Sequence, residues 1–117
     1  MLSILFGSEL REKILLYIAE CGDAYSSELA ANFGASLFAV QNQLKRLEEA
    51  GILVSRNIGK TRVYSFNPRY YLRLELIALL KKDIEALPEE EIREHYRPRR
   101  RPHYHEFKKA LLKKRKR

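Results

Sequence analysis

A short connection between two helix-forming segments constrains the fold of this chain more than any other feature. The first segment spans about two helical turns, is expected to be capped by Ser26 or Ser27, and ends at Gly34. The second is expected to be capped by Ser36 and to run to Ala50, ahead of a glycine. Two capped helices joined by so tight a turn are typical of a helix-turn-helix.

The residues on both sides of this unit extend the pattern. Helical spacing of apolar residues predicts further helices, and β-prone runs joined through a glycine connector predict a hairpin. Asn67-Pro68 is expected to open the last helix, because proline suits the first helical turn. The predicted elements around the unit are a helix over residues 9–21, an extended piece at 24–25, strands at 52–58 and 62–66, and a helix over about 69–86. The sequence therefore predicts a mainly α fold of the α+β class, with a small β-hairpin wing and a C-terminal dimerisation helix.

The residues of this unit resemble a known family of regulators. Residues 26–30 (SSELA) and 36–53 (SLFAVQNQLKRLEEAGIL) look like the helix-turn-helix of the arsenical-resistance-repressor (ArsR) type. Arg56 and residues 59–64 (GKTRVY) look like the wing of that family. The resemblance covers residues 5–85 and implies a winged helix-turn-helix that regulates transcription by binding duplex DNA.

The resemblance places the beginning of the second helix of the unit against DNA. Glutamine and asparagine pair bidentately with adenine, and lysine or arginine reaches phosphate or guanine. Phe38 departs from the small polar residue usual near its position, and its ring either touches a thymine methyl group or folds back onto the core. The residues expected to contact DNA from this helix are Ser36, Leu37, Phe38, Gln41, Asn42, Lys45 and Arg46.

The wing is expected to supply a second contact surface. Lys60, Thr61 and Arg62 follow a glycine that lets the backbone approach phosphate or the minor groove closely. Arg56 is expected on the facing strand of the hairpin. The alternative for these charges, as for the polar residues of the helix, is an ordinary solvated surface.

The predicted last helix is apolar on more than one face, which indicates burial on more than one side. One stripe, formed by Leu72, Leu76, Leu79 or Leu80, Asp83 and Leu87, is expected to cover the winged domain. A second stripe is expected to pack on a second copy, together with the apolar N-terminal start. A homodimer would place two reading helices about 34 Å apart on a palindromic site. The expected dimer contacts are Leu2, Ile4, Leu5, Tyr70, Leu74 and Ile77.

The positive charge is concentrated at the end of the chain. Residues 1–96 contain 12 Lys and Arg against 14 Asp and Glu, whereas residues 97–117 contain 11 basic residues and one acid. We therefore divide the chain into a winged domain with its dimerisation helix, 1–87, and an extension, 88–117, that runs from acidic to basic and is partly disordered or helical. The residues expected to contact phosphate are Arg97, Arg99, Arg100, Arg101, Lys108, Lys109, Lys113 and Lys114.

Several classes of function are not expected. Metal-sensing members of the resembled family use paired cysteines or acids and histidines on the last helix, but this chain has one cysteine, and we place its three histidines outside the domain. We expect no metal or other cofactor, no enzymatic activity, no membrane association and a cytoplasmic location.

Two alternatives to a homodimeric repressor remain open from the sequence. One is a winged-helix interaction module of a larger complex, including an antitoxin-like regulator, whose last helix binds another protein. The other is an RNA-binding protein that depends on its basic tail.

Overall fold

The structure is a computed structural model that describes residues 2–97, in which a central helix is surrounded by five further helices and a three-stranded sheet. In chain order the elements are α1 (Ser3–Phe6), α2 (Glu9–Cys21), β1 (Asp23–Tyr25), α3 (Ser26–Phe33), α4 (Leu37–Glu49), β2 (Leu53–Ile58), β3 (Thr61–Phe66), α5 (Arg73–Glu85) and α6 (Glu89–His95). The predicted mainly α fold with a small β wing is confirmed.

The central helix α2 is buried around much of its circumference. Ser8 caps it, since its hydroxyl accepts a hydrogen bond from the Arg11 N–H at 3.2 Å. Five consecutive residues from Ile14 to Ile18 are buried, which is possible only when neighbours cover several sides of the helix. α4, α5 and the sheet pack around α2 and form one core with it.

The helix-turn-helix is built by α3 and α4. Gly34 ends α3 at φ +61°, in the left-handed region that favours glycine. The Ser36 hydroxyl accepts a hydrogen bond from the Ala39 N–H at 3.1 Å, so the predicted cap of α4 is confirmed. The predicted serine cap of α3 is wrong, because Tyr25 ends β1 in an extended conformation and leads directly into the helix.

The wing belongs to a three-stranded antiparallel sheet in the order β1-β3-β2. The predicted hairpin is confirmed, with a two-residue turn of Gly59 and Lys60, because Thr61 already pairs with Ile58. The extended piece predicted before α3 is β1, which pairs with β3. The base of the wing is thereby attached to the end of α2.

The helix α5 begins at Arg73 and not near residue 69, so the prediction that Pro68 opens it is wrong. The Asn67 side chain accepts a hydrogen bond from the Arg69 N–H at 3.0 Å and donates one to the Gly51 carbonyl at 2.9 Å. These bonds stabilise a turn in place of the first helical residues. Within α5, Leu80 is buried and Leu79 is partly exposed, which resolves the choice between them.

The last helix, α6, packs against the end of α3. The Asn32 side chain donates to the His95 carbonyl at 2.8 Å, and His95 Nδ1 donates to the Asn32 carbonyl at 2.9 Å. Phe33 stacks on the His95 ring at a centroid distance of 5.5 Å. The adjacent Tyr96 is buried, and burial raises the pKa of its phenol. His95, which the sequence analysis placed outside the domain, therefore contacts the helix-turn-helix.

Two acids lie in the interface between α2 and α5. Glu12 and Asp83 are each 8% exposed, and the Leu2 N–H donates to Glu12 Oε2 at 2.7 Å. Burial raises the pKa of Asp83 to about 6, with further contributions from the hydrogen bond to Glu12 and the Glu12 charge. Burial alone would also raise the pKa of Glu12, but the hydrogen bonds from Asp83 and the Leu2 N–H lower it. Below about pH 6 the carboxyl group of Asp83, and not that of Glu12, is therefore the protonated member of the pair.

We expect the substitution Asp83→Asn to stabilise the protein at pH 8 by about 1–2 kcal/mol, and by about half as much at pH 5. The folded-state pKa of Asp83 lies above its ordinary value, so the stability contributed by its proton is lost progressively as the pH rises from 3.8 to about 6. An asparagine amide donates to Glu12 at either pH. Urea unfolding at pH 5 and pH 8 measures the effect. Glu85→Gln, an exposed change on the same helix, is the control, and an effect of Asp83→Asn that is equal at both pH values would contradict the raised pKa of Asp83.

Candidate nucleic-acid interface

The two sides of α4 differ sharply in burial. Val40, Leu44 and Leu47 face the core and are buried. The opposite side carries an exposed ridge of residues spaced three or four apart, the spacing that aligns side chains along one helix face. This outer ridge consists of Phe38, Asn42, Lys45 and Glu49.

One flank of α4 faces the wing across a groove. Gln41, Lys45, Glu48 and Glu49 line its helix side, and Arg62, Tyr64 and Ser26 line the other side. Burial and the Glu48 carboxylate raise the pKa of Tyr64, while the Arg62 charge opposes the shift, so the phenol stays a neutral hydrogen-bond donor. The sequence analysis missed Tyr64 and Ser26. The strand period of two, which aligns Tyr64 with Arg62, was the available signal for Tyr64.

The two arginines of the wing lie on opposite faces of the sheet. The Ser55 hydroxyl donates to Glu48 on α4, so the next residue, Arg56, points to the other face. There its guanidinium lies 3.1 Å from Asp23, whose side chain is only 7% exposed while that of Arg56 is 50% exposed. Arg62 is exposed beside α4. The structure thus brings Arg62 to the predicted site and directs Arg56 into an ion pair.

The other flank of α4 faces the N-terminal helices. Arg46 lines a cavity there together with Leu5, Arg11 and Tyr70, and it is separated from the wing by the outer ridge. The Arg11 side chain donates to Gln43 on α4 at 2.8 Å and to the Phe6 carbonyl at 2.6 Å. This bridge from α2 orients α4, and the sequence analysis did not find it because the two residues are far apart in the chain.

The remaining predicted contact residues are spread over the molecular surface. Ser36 and Leu37 are exposed at the start of α4, and Lys60 is exposed at the wing tip beside half-buried Thr61. Among the expected dimer contacts, Ile4, Leu5 and Leu74 are exposed, whereas Leu2, Tyr70 and Ile77 are half-buried. Tyr71, which was not predicted, is also exposed.

Most of the predicted tail contacts lie outside residues 2–97. Arg97 is described and is half-buried, whereas Arg99, Arg100, Arg101, Lys108, Lys109, Lys113 and Lys114 fall beyond the described residues. Among residues 2–97, no three His, Cys, Asp or Glu side chains are grouped to hold a metal ion. In the same part of the chain, no helix has the length and apolar character needed to cross a membrane.

Comparison with known proteins identifies this helix-turn-helix. Residues 8–55, from the start of α2 to the middle of β2, match the model of the family described as bacterial regulatory protein, arsR family. Residues 8–55 form a helix-turn-helix segment of the arsR type. Because that family consists of regulatory proteins, the match supports a DNA-binding transcriptional regulator and confirms that the chain is not an enzyme. No curated protein sequence matches the chain significantly.

Solved structures share the winged helix-turn-helix fold of this chain. YusO from Bacillus subtilis matches with a TM-score of 0.52 and 20% identity, covering 73% of this chain and 66% of that one. ZitR from Lactococcus lactis, in a mutant apo form, matches with a TM-score of 0.53 and 18% sequence identity. The match covers 95% of this chain and 87% of ZitR. The transcriptional regulator Tm0710 from Thermotoga maritima matches with a TM-score of 0.53 and 17% sequence identity. The match covers 97% of this chain and 82% of Tm0710. At these identities the likeness concerns the fold alone.

The ion pair predicts different effects for the two wing arginines. We expect Arg56→Ala to lower the free energy of unfolding by about 1 kcal/mol, because it removes the guanidinium from a buried carboxylate but the arginine itself is half exposed. Arg62→Ala is the matched control and should leave stability within about 0.5 kcal/mol of the wild type. Urea unfolding of both variants measures the difference, and equal losses would show that the Asp23 contact does not stabilise the wing.

Proposed function

We propose that this chain is a sequence-specific transcriptional repressor that binds duplex DNA as a homodimer in the cytoplasm. The observation that carries the proposal is the exposed outer ridge of α4, opposite a buried face and beside a basic wing. Repression by occlusion of a promoter is the simplest action for a small protein of this architecture.

The outer ridge and its wing-side flank have the chemistry to read bases. The major groove is about 12 Å wide and admits one helix. With α4 in the major groove, Asn42 and Gln41 present amides that pair bidentately with adenine, and Lys45 reaches guanine or phosphate. Ser36 and Leu37 lie in the part of the helix that enters the groove first. The carboxylates of Glu48 and Glu49 line the wing-side groove and limit how closely that flank approaches phosphate.

The wing and the flanks of α4 supply the phosphate contacts in this proposal. Lys60 and Arg62 are exposed, and Thr61 adds a hydroxyl at the hairpin turn. Arg46 extends from the far flank of α4, where it meets the opposite backbone of the groove. Arg56 is assigned mainly a positioning role, because its guanidinium is engaged by Asp23.

The exposed apolar side chains of α1 and α5 support self-association. Leu74 is 67% exposed, and Ile4 and Leu5 are more exposed still. Burying a leucine side chain stabilises a complex by about 1.5–3 kcal/mol, so a second copy covering these residues gains stability from each. A two-fold axis would set the two α4 helices over successive major grooves.

The basic tail starts next to the helix-turn-helix. Tyr96 is buried and His95 is bonded to Asn32 at the end of α3, so Arg97, the last described residue, lies close to the helix that would cross the DNA backbone. We propose that the basic residues of 97–117 neutralise phosphates there. This contribution would raise affinity without adding sequence preference.

Selection of bound sequences from a random duplex pool at physiological salt tests the proposed function. We expect an inverted repeat with half-sites about 10 base pairs apart. Asn42→Ala should relax the preference at one position of each half-site. Arg62→Ala should weaken binding to all sequences similarly and reduce the slope of log affinity against log salt concentration by about 1. Arg56→Ala should leave that slope unchanged. A pool without any enriched motif would contradict the proposal. In that case, tight RNA binding that is lost when residues 97–117 are removed would favour the tail-driven alternative.

Sedimentation at micromolar concentration tests the proposed dimer. We expect the wild-type protein to sediment as a dimer and Leu74→Glu to sediment as a folded monomer, because a charge on this surface opposes its burial. Lys82→Glu, an exposed change on the same helix that is rotated by about 80° from Leu74, should remain dimeric. A wild-type monomer would argue against a homodimer and favour the interaction-module alternative, in which α5 binds a different protein.

A further inference from the structure

We propose that Phe38 recognises the 5-methyl group of one thymine in each half-site and is thereby a specificity-determining residue. The inference rests on the proposed function, since it assigns the base feature that α4 reads. It also resolves the two possibilities that the sequence leaves open for this ring.

The ring of Phe38 is not part of the protein core. It is 74% exposed on the outer ridge, with Asn42 and Lys45 following along the same helix face. The core-facing residue of this turn is Val40, which is fully buried. Because the aromatic ring is exposed to water within a polar ridge, covering it with an apolar surface would lower the free energy of the complex.

The proposed dimer surface does not account for this ring. Leu5 and Tyr70, two of the expected dimer contacts, line a cavity against Arg46, Leu47 and Ala50, at the C-terminal half of α4. Phe38 is in the first turn of α4, on the outer ridge and not on that flank. An occupant that covers Phe38 must therefore approach the helix along the same face as Asn42 and Lys45.

The start of α4 is held in a defined orientation. The Ser36 hydroxyl accepts the Ala39 N–H, and the Ser36 carbonyl accepts the Val40 N–H at 3.1 Å. These bonds fix the backbone on both sides of Phe38. In helix-turn-helix proteins the N-terminal residues of the reading helix contact base edges, which is where this ring lies.

Thymine is the base whose chemistry suits the ring. In the major groove, unmodified adenine, guanine and cytosine present no methyl group, whereas thymine presents one that apolar side chains contact. Phe38 and Asn42 are four residues apart, so their Cβ atoms are separated by about 5–6 Å along the ridge. Successive phosphates of one strand rise by about 3.4 Å. The recognised thymine therefore lies within about two base pairs of the adenine that Asn42 reads.

The test replaces thymine by deoxyuridine, one position at a time, in the sequence selected by the wild-type protein. Deoxyuridine lacks only the methyl group and keeps the pairing edge. We expect one position per half-site at which the replacement weakens binding by about three- to tenfold for each methyl group lost. Phe38→Ala should bind the thymine operator more weakly and show no further loss with deoxyuridine. Fluorescence anisotropy at constant salt measures both effects.

Two further measurements separate the role of the ring from that of its neighbours. Asn42→Ala should retain the full deoxyuridine penalty, because it alters the adenine contact and not the methyl contact. Replacing the thymine–adenine pair at the same position by an unmodified cytosine–guanine pair should weaken binding. A 5-methylcytosine–guanine pair there should restore part of the lost affinity, because it returns the methyl group to the major groove. Circular dichroism of Phe38→Ala should match the wild type, since the ring is exposed.

The outcomes distinguish failure of this inference from failure of the proposed function. If the wild type selects a motif but no deoxyuridine position is penalised, or Phe38→Ala keeps the wild-type penalty, methyl recognition by Phe38 is overturned and sequence-specific binding stands. If no motif is selected at all, both are overturned.

Discussion

The burial of one face of α4 determines where every exposed side chain of that helix points. Val40, Leu44 and Leu47 pack into the core formed with α2, α3 and β2, so rotation of the helix about its axis would expose them to water. With that face held, helical geometry places Phe38, Asn42 and Lys45 outward. The candidate interface is a consequence of this packing.

Polar contacts refine the position that burial sets. Arg11 bridges α2 to Gln43 on one flank of α4, and Ser55 joins β2 to Glu48 on the other. Asn67 ties the end of the wing to Gly51, two residues after the end of α4. Each contact joins elements that meet only in the folded chain. Together they orient the reading helix and the wing relative to each other, which a protein that contacts two parts of a duplex requires.

The same framework assigns different tasks to residues of one type. Arg62 and Arg56 are both basic residues of the wing, yet one faces the groove beside α4 and the other neutralises a buried carboxylate. Glu12 and Asp83 are both buried acids, yet the pKa of Asp83 is raised by burial and by Glu12, whereas that of Glu12 is lowered by its hydrogen bonds. His95 serves as a hydrogen-bond partner of α3, although the sequence analysis placed it outside the domain. In each case the partner decides the role of the residue.

Most of the fold and the main site were predictable from local patterns. Helical spacing located α2 and α4, the glycine at residue 34 located the turn, and the β-prone runs located the wing. These signals work because each depends on residues within a few positions of one another. The start of α5 was misplaced, since a local rule for proline was overridden by the Asn67 turn.

The sequence by itself determined the identity of the elements from α2 to α5, the two faces of α4 and the resemblance to arsR-type regulators. Only the tertiary structure decided that Arg56 is engaged by Asp23, that Phe38 projects outward, that α6 returns to α3 and that Asp83 and Glu12 meet. Periodicity is a property of neighbouring residues, whereas ion pairs, pKa shifts and exposure depend on segments that are distant in the chain and are brought together only by packing.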